Sequence, residues 1–106
     1  MLHLINFKAN RGYAIKFVEL LPPDIPSPKI RMGMDDTTKL HWLFWVGEHK
    51  KYDMELIFTN DQKIDCILNS PYKIREMTLG FDLEYIPTEI ICMLSEMSLE
   101  LNANLR

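Results

Sequence analysis

The chain is short of the residues from which dedicated chemical sites are usually built. It has four glycines, two cysteines and three histidines in 106 residues. The glycines form neither a dinucleotide fingerprint nor a Walker-type loop, so nothing is set up to cradle phosphates, and no Gly-x-Ser-x-Gly elbow presents a nucleophile. Two cysteines are too few for the disulfide framework of a small secreted scaffold. Cys66 and Cys92 each fall in an apolar periodic segment, and both are expected to be reduced and buried. With no Cys-x-x-Cys and no histidine pair at helical spacing, a zinc site would have to assemble from Cys66, Cys92, His3, His41 and His49 by accident of folding. No metal and no cofactor is expected.

Long apolar runs are also missing. The longest run of large apolar residues is Trp42-Leu43-Phe44-Trp45-Val46, far short of the roughly 18 residues of a membrane helix. No apolar signal-like block precedes Lys8, so a soluble, cytoplasmic chain is expected. Basic charge is sparse where nucleic acid would need it. Residues 1–51 carry eight Lys/Arg against five Asp/Glu, and residues 52–106 carry four against ten, giving halves of +3 and −6 and a net charge of −3. The lysines are scattered, without an aromatic ladder beside them, and an acidic half neutralises few phosphates. Nucleic-acid binding is disfavoured.

What is present is a core. Hydrophobic residues make up 47% and charged residues 25%, the balance of one globular domain spanning residues 1–106. The segment from Tyr13 to Leu20 alternates with a period of two, placing Tyr13, Ile15 and Phe17 on one face of a strand. Asn10-Arg11-Gly12 supplies turn residues, so Leu2 to Phe7 is expected to fold back as a hairpin partner. Four prolines between Pro22 and Pro28 exclude any ladder or helix and give a stiff extended connector. Its PxxP spacing matches SH3-type ligands, a common coincidence.

Lys39 to Val46, Tyr52 to Phe58 and Ile64 to Leu68 read as an antiparallel meander. Registering apolar residues opposite one another pairs Phe44 with Met54, Trp42 with Leu56 and Leu40 with Phe58. The next strand continues the same core face, with Phe58, Leu56 and Met54 opposite Ile64, Cys66 and Leu68. Lys29 to Met34 is a short strand candidate. Residues 70–80 fit a strand by the alternation Tyr72, Ile74 and a helix by their Ser-Pro and Gly punctuation. Phe81 to Tyr85 alternates. After Pro87 the spacing changes: Ile90, Ile91, Leu94, Met97 and Leu101 recur at threes and fours, giving a helix to about Asn102. The fold class is therefore α+β: an antiparallel sheet of about five or six strands with one C-terminal helix packed on one face.

Candidate chemistry is thin. His41 and His49 are the obvious acid–base residues, yet they lie at opposite ends of one strand. Asp53 and Glu55 share a strand face, as solvated charges commonly do. The less ordinary feature is the outer face of the meander, which combines Leu43, Trp45, Ile57 and Ile67 with Asp53, Glu55 and Asp65. In the register above, Trp45 falls opposite Asp53, Leu43 opposite Glu55 and Ile57 opposite Asp65. A solvated face needs no tryptophan, and a buried one does not admit three unpaired acids. The mixture fits a partner surface of apolar anchors and orienting charges, unless residues 70–80 or the proline connector cover it as a second layer. Glu89, Glu96 and Glu100 form an acidic stripe on the helix, with Glu96 and Glu100 an unfavourable like-charge pair.

Together these features point to a non-catalytic protein-binding domain. Its most concrete form is a small acidic inhibitor or immunity-type protein covering a basic partner enzyme, such as a toxin or nuclease. The contact residues would be Leu43, Trp45, Asp53, Glu55, Ile57, Asp65, Glu96 and Glu100. The alternatives are a small metal-free hydrolase or nuclease using His41 or His49, and a structural subunit of a larger assembly.

Overall fold

In a computed structural model the chain forms a five-stranded antiparallel sheet with a helix at each end of the sequence. The structure describes residues 2–34, 37–59, 63–72, 74–80 and 86–104, and of residues 2–9, 46 and 100–104 the backbone only. The elements run α1 (Leu2–Leu20), β1 (Lys29–Met32), β2 (Thr38–Val46), β3 (Lys50–Phe58), β4 (Lys63–Asn69), β5 (Ile74–Gly80) and α2 (Thr88–Asn104). The strands lie in chain order, each antiparallel to the next. The α+β class follows. The sequence of Asp35-Asp36-Thr37-Thr38 and that around Asn60-Asp61-Gln62 predict turns; residues 35–36 and 60–62, like the alternating stretch 81–85, lie outside the described residues, and Thr38 already belongs to β2.

The N-terminal hairpin is replaced by α1. Ile15 is 40% exposed while Phe17 is 4% exposed, so the two do not share a strand face. The buried positions are Asn10, Ala14 and Phe17, with Tyr13, Val18 and Leu21 packed at the margin of the core. Those spacings of three and four are helical, and the period-two pattern at Tyr13, Ile15 and Phe17 is incidental to them. Gly12 supplies no turn; it sits inside the helix. Pro22 ends the helical run, since its ring removes a donor and clashes with the preceding turn.

Alternation along the sheet places one face inside. Leu40, Trp42, Tyr52, Met54, Leu56, Phe58, Ile64, Cys66 and Leu68 are buried together with Ile90, Met93, Leu94 and Met97 of α2. Phe17 meets Phe58 edge to face at 5.5 Å, tying α1 to the same core. Phe44, expected inside, is only partly buried and stacks on Tyr52 at 5.1 Å. The connector is docked as well: Ile25 is buried, Trp42 Nε1 donates to Pro26 O at 2.6 Å, and Ser98 Oγ donates to Asp24 O at 3.0 Å. Its PxxP is thus tied to the body of the domain. At the β1–β2 turn Gly33 donates to Thr37 O at 2.9 Å, and any Cβ there would collide with Thr37 Oγ1.

Candidate partner-binding face

The outer face is built by the odd-numbered residues of β2 to β4, and its register turns on Gly47. With φ of 68°, Gly47 adopts a conformation that side-chain-bearing residues avoid, and the three residues Gly47 to His49 close the hairpin with Val46 opposite Lys50. The β2–β3 pairing is thereby shifted two residues from the one expected on apolar matching. A shift of two keeps every side chain on its face but changes its neighbours. Leu43 lies opposite Asp53 rather than Glu55, and Trp45 opposite Lys51 rather than Asp53. The β3–β4 pairing is as expected, with Ile57 opposite Asp65.

The shift also makes His41 and Glu55 direct cross-strand neighbours. His41 Nε2 lies 2.7 Å from Asp53 Oδ1 and 4.0 Å from Glu55 Oε1, and Lys39 Nζ donates to Glu55 Oε1 at 3.2 Å. Asp65 Oδ1 accepts from Thr78 Oγ1 at 2.8 Å. Each of the three candidate carboxylates on this face therefore already has a partner. Pairs of this exposure contribute on the order of 0–1 kcal/mol apiece, enough to order the side chains without holding the fold together. One histidine nitrogen and two carboxylate oxygens of His41, Asp53 and Glu55 all lie within 4.8 Å of one another, a donor set of the kind that holds a cation. The trio is not visible in the register expected from apolar matching, which places His41 opposite Ile57 rather than Glu55.

The apolar members of the face behave differently from the acids. Leu43 is 51% exposed and Trp45 57% exposed, while Ile57 and Ile67 are half-buried between neighbouring strands. Neither proposed cover lies over them among the described residues. Residues 74–80 form β5 and extend the sheet, and the proline connector is tied to the core through Ile25 and the Trp42–Pro26 bond, with Pro26 and Ser27 bordering a cleft beside Leu43 that leaves Leu43 51% exposed. Glu96 does not join this face: it accepts from Arg75 Nη1 at 3.1 Å, and Arg75 pairs with Leu68, whose side chain is in the core, so Glu96 lies on the helical side. The side chain of Glu100 lies outside the described residues. His49 is 91% exposed in the hairpin turn, apart from the His41 cluster.

The cysteines divide. Cys66 is fully buried on the core face, and burial, helped by the charges of Asp65 and Glu89, pushes its thiol up to about 12. Cys92, expected to be buried, is exposed on α2, because the buried stripe Ile90, Met93, Leu94 and Met97 skips it. Among the described residues no helix is long and apolar enough to cross a membrane. The chain matches no protein-family model, no curated protein and no solved structure.

Proposed function

We propose that this is a non-catalytic protein-binding domain whose partner surface is the outer sheet face around Leu43 and Trp45. The observation that carries the reading is the side-by-side exposure of these two large apolar residues on a face whose nearby acids, Asp53 and Glu55, are engaged by His41 and Lys39. Tryptophan and large aliphatics gain most from being covered, and a rim of ordered polar groups suits an interface. In its most concrete form the domain is a small cytoplasmic inhibitor or immunity-type protein that covers a basic enzyme. The net charge of −3 and the acidic second half support that form. The carboxylates beside the anchors add little to it, being already partnered.

The test is differential capture. Wild-type protein and Trp45→Ala, shown to unfold at the same temperature, are used to capture proteins from the source cell. The reading expects a protein retained by the wild type and lost by the variant. Identical captured sets would sink it.

A second reading has one observation in its favour. The 2.7 Å bond between His41 and Asp53 orients the imidazole as an acid–base residue is oriented in a hydrolase. Under that reading wild-type protein hydrolyses RNA, DNA or activated esters, and Asp53→Asn does not. Absence of hydrolysis by the wild type removes it.

A further inference from the structure

The sheet has an open edge that is longer than its chain order suggests. β2 runs nine residues, but β1 pairs only with Thr38 to His41. From Trp42 to Val46 the strand is paired with β3 on one side and, among the described residues, with no strand on the other. Because an antiparallel strand alternates the direction of its N–H and C=O groups, two or three of these five residues aim backbone donors and acceptors at the open side. The connector that would continue the line of β1 does not fill the gap. The Trp42–Pro26 bond and the burial of Ile25 draw it toward the core, leaving a cleft of about 200 Å³ between the connector, at Pro26 and Ser27, and the edge residues His41 to Phe44, with Lys29 and Arg31 at its side.

Natural sheets protect such edges with prolines, bulges or charged side chains. Residues 42–46 contain none of these; all five are large and apolar. An unprotected apolar edge is a template for strand addition. The charges around it say what kind of strand. Lys29 and Arg31 flank the edge where β1 ends, and Lys51 lies opposite Trp45 at the other end; none of the three has an ion-pair partner among the described residues. The acids nearest the edge, Asp53 and Glu55, are engaged by His41 and Lys39. A second copy of the chain is a poor occupant. Pairing two β2 edges antiparallel about Phe44 would bring the turn of one copy, with His49, Lys50 and Lys51 against a single Glu48, toward Lys29 and Arg31 of the other.

We propose that the 42–46 edge of β2 takes up an extended segment of a partner as an added strand, a segment apolar at its centre and carrying carboxylates at its ends. Alternate side chains of that strand meet Leu43 and Trp45 on the outer face and Phe44 on the other, its backbone continues the ladder, and its terminal carboxylates meet Lys29, Arg31 and Lys51. This rests on the protein-binding reading and specifies its mode and the local chemistry of the partner. It concerns the contacting segment, which a partner of any net charge can present.

The experiment is a selection from a random nine-residue peptide library displayed on phage, with the whole chain as bait. Selected peptides are then synthesised and mapped by backbone amide shifts. The expected outcome is peptides with an apolar centre and acidic flanks that shift the amides of residues 42–46, lose affinity at least tenfold to Lys29→Glu/Arg31→Glu, and weaken with salt. These two variants are exposed charge reversals that leave the core untouched, so the fold survives them. Basic selected sequences, amide shifts elsewhere, or indifference to the charge reversal would overturn the proposal. Peptides that require Trp45 but carry no acid, or leave amides 42–46 unmoved, defeat the added strand and leave the partner face standing. If selection yields no binder, the added strand is wrong whatever the capture experiment shows.

Discussion

Trp42 donates its indole N–H to the carbonyl of Pro26 at 2.6 Å, and this bond ties the proline connector to the core. The outer face stays open as a consequence, since the same connector passing over β2 would cover Leu43. Trp42→Phe keeps most of the buried area and removes the donor, leaving a half-buried carbonyl unpartnered. A loss of about 1–2 kcal/mol in urea unfolding is expected. Hydrogen exchange should also quicken around residues 25–30. Unchanged stability would mean that the burial of Ile25 and the Ser98–Asp24 bond anchor the connector without it.

The first helix is tested at Gly12. A Cβ at this position meets nothing within 4 Å, and the residue lies inside α1. Glycine in a helix interior costs about 0.8–1 kcal/mol relative to alanine. Gly12→Ala should therefore stabilise the protein by up to that amount in equilibrium unfolding. A hairpin turn at residues 10–12 would respond with the opposite sign.

That contrast shows where the sequence was legible. The meander was readable because burial alternates strictly along β3 and β4. The β3–β4 register was recovered residue for residue, and every side chain kept its face even where β2–β3 was displaced. α1 was not readable, because Tyr13, Ile15 and Phe17 alternate as well as they recur, and only burial of Ala14 beside Phe17 decides between the periods. The β2–β3 pairing departs from the best apolar match because Gly47, by permitting a three-residue loop, fixes it. The same displacement hid the His41–Asp53–Glu55 trio. Cys92 was misplaced because the apolar stripe of α2 is narrower than its composition.

Thr38 is fully buried, and its Oγ1 has no hydrogen-bond partner among the described residues. A buried hydroxyl without a partner forfeits its hydration for nothing, a cost of about 1–3 kcal/mol. Thr38→Val has nearly the same shape and removes it. Stability should rise by about 1 kcal/mol in denaturant titration, and a fall would show that the hydroxyl is satisfied in solution.

The two thiols should react in sequence. At pH 8 Cys92 is exposed and labels promptly, whereas Cys66 is buried with its thiol pushed up to about 12 and labels only after denaturant is added. The pH dependence has a definite sign. Below the ordinary thiol value of 9.0 both states hold the proton; between 9.0 and about 12 the unfolded chain releases one that the folded chain keeps. Unfolding is favoured by that release, so stability falls with rising pH across this window. Cys66→Ala should remove this contribution to the slope, although it also costs core packing.

The most direct measurement pairs partner affinity with unfolding for Trp45→Ala. Trp45 is 57% exposed, so its removal should change unfolding free energy by no more than about 0.5 kcal/mol, while a buried anchor at an interface is worth about 2 kcal/mol or more of affinity. The predicted result is therefore a variant as stable as wild type that has lost roughly thirtyfold or more in affinity for the captured partner. A variant that unfolds would make Trp45 part of the core. One that keeps both stability and affinity would remove Leu43 and Trp45 as a partner surface.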